Sequence, residues 1–173
     1  MKKLFLLIMA IAAFTLTSCS GSGEKASGSA ATSNQQQGAT GKSNEFVGAN
    51  FTMTYPEILV KETYKSDNTI NATNKDGDVK MDATFGEMPC KPEDFGKYSD
   101  NLKIVNKDYT PQAPKIDGNI MTMKFVKDDK AQTQFSVFID EKAGVAGKFE
   151  YPLSKAEQVE ELIMPMLKSI KKK

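Results

Sequence analysis

Between Ser20 and Asn44 the chain reads SGSGEKASGSAATSNQQQGATGKSN, with no Val, Ile, Leu, Met or aromatic side chain. Such a stretch has no apolar surface to bury and cannot offset the entropy of ordering, so it reads as a disordered tether. As a Gly/Ser-type coil its 25 residues span about 25 to 30 Å on average. Folding is thereby confined to residues 45–173, a length that suits one domain around one core.

The segment before the tether has a different composition. A short basic start, Met1-Lys2-Lys3, leads into an apolar run from Leu4 to Leu16 and then into Thr17-Ser18-Cys19. The run is too short to span a bilayer, which takes about 20 apolar residues, and no basic stop-transfer segment follows it. It reads as a signal peptide over residues 1–18. Leu16-Thr17-Ser18-Cys19, an aliphatic residue, two small residues and a cysteine, resembles the lipobox of bacterial lipoproteins. That resemblance implies cleavage before Cys19, a diacylglyceryl thioether on its sulfur and a further acyl chain, of the palmitate type, on the new amino group. Each buried methylene favours membrane association by about 0.8 kcal/mol, so two or more chains form a stable anchor. An ordinary secretory cut after Ala10-Ile11-Ala12 would leave an apolar core of only about eight residues. Ser20 is not the aspartate that retains many such proteins at the inner membrane. The expected address is the cell envelope, lipid-anchored in the outer membrane and facing the periplasm.

Composition removes several function classes. All 23 basic residues are lysine, against 22 acids, and the chain has no Arg, His or Trp. Without arginine or a basic cluster, nucleic-acid recognition has no footing. Without histidine, the commonest general base and the commonest transition-metal ligand are missing, which excludes histidine triads and ordinary zinc sites. If Cys19 is acylated, Cys90 is left alone and forms no intramolecular disulfide.

Within residues 45–173, FTMTYP alternates Phe51, Met53 and Tyr55 against Thr52 and Thr54, and Pro56 ends the pairing. Extended sequence follows from Ile58, and again from Thr69 after a Ser66-Asp67-Asn68 turn. Asp76-Gly77 then reverses the chain into a strand carrying Val79, Met81, Ala83 and Phe85 on one face. Pro92, Glu93 and Asp94 open a short helix whose Phe95, Tyr98 and Leu102 share a stripe. Extended segments are expected at 104–109, 120–126, 134–140 and 145–151, separated by Pro, Gly and Asp-rich turns. The last segment predicts a helix from Ser154 to Lys172. A Ser154/Glu157 capping box opens it, and its stripe runs through Val159, Leu162, Ile163, Met166, Leu167 and Ile170. Pro165 lies off the stripe and should kink this helix without ending it. The terminal lysines favour its negative end. The fold class is α+β, an antiparallel sheet packed by a C-terminal helix and a short second helix. FTMTYP near the start and GKFEYPLSKAEQVEELIMPMLKSIK at the end resemble the PsbP-like and Mog1-like domains. The resemblance implies a sheet between helices and a non-enzymatic binding or assembly role.

Motifs that suggest chemistry meet simpler readings. Ser22-Gly23-Glu24-Lys25, Ser66-Asp67-Asn68 and Ser99-Asp100-Asn101 match pieces of the penicillin-recognising set. K-T-G is absent, and Ser22 lies in the tether. Asn74, Asp76 and Gly77 resemble part of a calcium loop, yet Ala72 and Ala83 occupy its first and twelfth positions, so a hairpin turn is expected. The pairs Asp76/Asp78, Asp128/Asp129 and Glu160/Glu161 read as solvated surface. Met121 and Met123 share a strand face and, with Met53 and Met81, form the candidate lining of a ligand pocket. Their thioethers are also the softest copper(I) ligands available, although methionine mostly fills cores, and no metal site is assigned. Lys91 beside Cys90 could lower the thiol pKa. The sequence therefore predicts a non-catalytic binding or accessory module without a cofactor. Its expected partners are the bilayer, through Cys19, and an envelope protein or apolar ligand. A small hydrolase using carboxylate, lysine or Cys90 chemistry and an envelope assembly factor are the alternatives.

Overall fold

A computed structural model describes residues 43–62 and 66–173. The segments expected to be a signal peptide, a lipobox with Cys19 and a tether lie, up to residue 42, outside the described residues. The strand β1 (Ser43–Val47) already pairs antiparallel with β2 (Phe51–Pro56), Ser43 opposite Pro56 and Asn44 opposite Tyr55, so two residues assigned by composition to the tether belong to a sheet. Phe51, Met53 and Tyr55 of β2 are buried, as the alternation predicts.

Then follow β3 (Leu59–Lys61), β4 (Thr69–Asn74) and β5 (Lys80–Glu87). The turn between β4 and β5 places Gly77 at φ 77°, a conformation open to glycine. The Asn74 side-chain oxygen holds that turn by accepting the backbone N–H groups of Asp78 and Val79 at 3.1 and 3.0 Å. A 3₁₀ turn (Pro92–Asp94) runs into α1 (Phe95–Val105). The extended segment expected at 104–109 is not formed. Ile104 and Val105 finish α1, and 106–109 is a turn. Burying Phe95 with Tyr98 and Leu102 outweighs the strand preference of two β-branched residues, and Asn106 closes the helix by donating its side-chain amide to the Leu102 carbonyl at 2.8 Å.

The chain continues through β6 (Thr110–Pro111), β7 (Lys115–Asp117), β8 (Ile120–Lys127), β9 (Lys130–Phe138) and β10 (Ala143–Pro152). A 3₁₀ turn (Leu153–Lys155) precedes α2 (Ala156–Lys168), and β11 (Lys171–Lys172) ends the fold. Ser154 makes no side-chain cap, because the 3₁₀ turn moves the start of α2 past it. Pro165 sits exposed inside α2, off the stripe. The helix stops at Lys168, four residues before the expected end. Ser169 takes over: its hydroxyl accepts the Thr54 N–H at 2.9 Å and reaches the Met166 carbonyl at 2.6 Å, turning the chain onto β2. The last lysines therefore serve other ends. Lys168 pairs with Asp117 at 2.9 Å, and Lys172 pairs with Asp140 at 3.2 Å.

Two antiparallel sheets result, a small one in the order β1-β2-β11 and a large one in the order β3-β4-β5-β10-β9-β8-β6, with β7 also on β8. One face of the large sheet meets α2 and the small sheet in the main core, built on Phe51, Met81, Phe135, Phe149, Ile163 and Leu167. The opposite face meets α1 in a second cluster of Met88, Phe95, Met121 and Phe138. Only the β8–β9 side is covered there, so the β4–β5–β10 side carries a polar face. This α+β arrangement, a sheet between helices, is the predicted fold class.

Candidate functional site

The four methionines offered as one pocket lining do not converge. All are buried, but Met53 and Met81 belong to the main core. Met121 and Met123, in register with Ser136 and Gln134 of β9, lie on the other face, where Met121 packs under α1. Alternation on a strand puts residues two apart on one side and cannot say which side two distant strands share. These thioethers are spent on packing.

Cys90 is half-buried against the α1 cluster. Burial pushes its thiol pKa up, and Asp94 and Glu93 push it further. Lys91 does not oppose this; it faces Glu93 at 3.9 Å. The activation considered from the Cys90-Lys91 pair is thus reversed, first by burial and then by two carboxylates in the following turn. The two Ser-Asp-Asn motifs are likewise committed: Ser99 donates to the Gly96 carbonyl at 2.7 Å inside α1, and Ser66 accepts the Asn68 N–H at 3.2 Å. Asp76 and Asp78 hold Lys155 at 3.2 and 2.9 Å.

Glu160 departs most from its expected place. Read as solvated helix surface, it instead faces the large sheet, where its carboxylate accepts Lys124 Nζ at 2.5 Å and lies 3.3 Å from the Tyr151 hydroxyl. Tyr151 also bonds the Thr133 hydroxyl at 2.7 Å. Burial pushes the Tyr151 phenol from 10.0 up to about 12. Beside this cluster lies a cavity of about 60 Å³ walled by Thr122, Lys124, Thr133, Glu160, Ile163 and Met164. This is the volume of one or two waters, whose share of the liquid is about 30 Å³ each. The cluster braces α2 against β8, β9 and β10. One signal was present in the sequence: Lys124 sits mid-strand opposite Thr133, on the alternating positions that also carry Thr122, and all three point into the seam under α2.

A larger concavity opens on the other face, where the β4–β5 turn, the strands β5, β10 and β9, and the turn after α1 surround about 380 Å³. Lys80, Glu150 and Gln132 form one cross-strand row of its floor, and Pro152 and Lys130 pair in the next. Tyr109 overhangs it, held by its N–H to the Asn106 carbonyl at 2.9 Å. The Asn106 side-chain oxygen docks this turn on β9 by accepting amides from Gln134 at 3.1 Å and Gln132 at 3.4 Å. Glu150 accepts Lys148 Nζ at 2.7 Å, which raises the Lys148 pKa. Sequence reading missed this cleft because its parts come from four separated segments.

No protein-family model and no curated protein matches the chain. Among solved structures its fold is similar to the solution structure of cyanobacterial PsbP (CyanoP) from Synechocystis sp. PCC 6803, with a TM-score of 0.51 and 10% sequence identity. The likeness covers 79% of this chain and 97% of that one. At this identity it shows the fold alone, which is PsbP-like.

Proposed function

We propose that this chain is a membrane-anchored accessory module of the cell envelope, held through an acylated Cys19 and binding a partner protein without catalysing a reaction. The observation that carries the non-catalytic reading is the saturated cluster at the α2 seam. Lys124, Glu160, Tyr151 and Thr133 are the described side chains that most resemble a catalytic constellation, and each is occupied by another. General acid–base work needs a group within reach of a substrate proton, and about 60 Å³ admits no substrate. A protein partner is favoured over an apolar small molecule because the methionines that would line an apolar pocket are buried and divided between the two faces of the large sheet. The lipobox supports the anchor.

The test is in vivo crosslinking of the full lipidated protein followed by co-purification. The same envelope protein should be recovered in replicate and should be lost when the domain is deleted behind an intact anchor. Recovery of no reproducible partner, or turnover of an ester or amide substrate that is abolished by Glu160→Gln, would overturn this reading.

A further inference from the structure

We infer that the cleft beneath Tyr109 is a binding site for a small oxyanion, phosphate or carboxylate, gripped between Lys80 and Lys130. The inference extends the binding reading above from a protein partner to a small ligand. Its basis is how the charges around the cleft are already paired. Each carboxylate in the lining already meets a lysine: Asp78 shares Lys155 with Asp76, at 2.9 and 3.2 Å, and Glu150 holds Lys148 at 2.7 Å. Lys80 and Lys130 line the same space, and among the described residues neither ammonium has a carboxylate within 4.0 Å. The charged side chains of the lining that have no ion-pair partner among the described residues are therefore the two lysines. Asp128 and Asp129, in the turn beside Lys130, do not form part of its lining.

The sheet register makes the two lysines act together. Lys80 on β5 and Lys130 on β9 are separated by β10, two strand spacings of about 4.8 Å each, and by two residues along the strands. Extended lysine side chains reach about 6 Å, so both ammonium groups can close on one small anion, as point charges on flexible stems do for phosphate. On the intervening strand Glu150 and Pro152 lie between them, and Gln132, beside Lys130 on β9, has a long 3.4 Å contact to Asn106 that leaves an amide hydrogen to donate. Lys127 adds a third cation at the rim, 5.8 Å from the Tyr109 ring centre. The volume, about 380 Å³, is that of a small-ligand site.

The experiment is a backbone-amide NMR titration of the full chain with inorganic phosphate and, separately, with succinate. Saturable shifts should centre on residues 77–80, 109 and 130–132. The double variant Lys80→Glu/Lys130→Glu should lose affinity tenfold or more while keeping a dispersed spectrum, and Lys80→Arg/Lys130→Arg should retain binding. Vesicles of phosphatidylglycerol against phosphatidylcholine then separate a lipid headgroup from a free anion: the first source predicts cleft-dependent vesicle binding, the second predicts saturation by the soluble anion alone. Shifts that never saturate, that appear elsewhere, or that survive the charge-reversed pair would overturn the site. Crosslinked partner recovery that persists in the charge-reversed protein would leave the accessory reading standing without the cleft.

Discussion

Glu160 and Tyr151 show how a single contact sets the chemistry of a residue. Tyr151 is almost fully buried, and its phenol is pushed up to about 12, so the folded state holds a proton that the unfolded chain releases near 10.0. A pKa raised on folding contributes stability that is complete below the unfolded value and is lost as pH rises through the folded one. The domain should therefore weaken between pH 10 and about 12 by on the order of 2 kcal/mol from this group. Tyr151→Phe should flatten that slope in urea melts across pH, while costing about 1 kcal/mol at neutral pH for the lost bonds to Thr133 and Glu160. Asp82 tests the same logic at acid pH. Burial raises its carboxyl pKa although Lys148 pulls it down, so ionisation at neutral pH opposes folding. Asp82→Asn should raise the denaturation midpoint at pH 7 and leave it unchanged well below pH 4. Neither shift was legible in the sequence, because each depends on which groups distant strands bring together.

At the scale of elements, local pattern and tertiary context can be told apart. β2, the β4–β5 hairpin and the apolar stripe of α2 follow from alternation, from Asp76-Gly77 and from helical spacing, all properties of a few adjacent residues. The misread stretches are those whose state depends on a remote partner. Ile104 and Val105 look like strand, yet they are carried into α1 by the burial of Phe95 and stay 72% and 78% exposed at its end. The end of α2 is likewise decided by β2: Ser169 turns the chain so that Lys171 and Lys172 pair with Thr52 and Phe51. Ser169→Ala should cost about 1 kcal/mol and, more specifically, speed amide hydrogen exchange at Thr54 and Lys171 while leaving β9 and β10 protected. Leu167, fully buried where α2 meets the core, should cost about 2 to 5 kcal/mol when cut to alanine. Unfolding of Leu167→Ala should stay cooperative if the sheet and helix form one unit.

For the whole molecule, the fold is a large antiparallel sheet with α2 and the small sheet on one face and α1 on part of the other. The uncovered part of the second face is where the polar cleft forms. The class was legible, α+β with an antiparallel sheet packed by a C-terminal helix, because alternating segments and one long amphipathic stripe predict those elements, while the sheet between helices was implied only by the resemblance to PsbP-like domains. The site was much less legible. The methionines share strand positions without sharing a cavity, and Lys80, Tyr109, Lys130 and Gln132 meet only through sheet register. The account joins this domain to a membrane through one residue, Cys19, and that link is the most direct to measure. Cells fed a labelled fatty acid and fractionated should carry label on the wild-type protein in the membrane, and Cys19→Ala should abolish both label and membrane association. A wild-type protein that takes up no label, or a Cys19→Ala protein that still does, would contradict it.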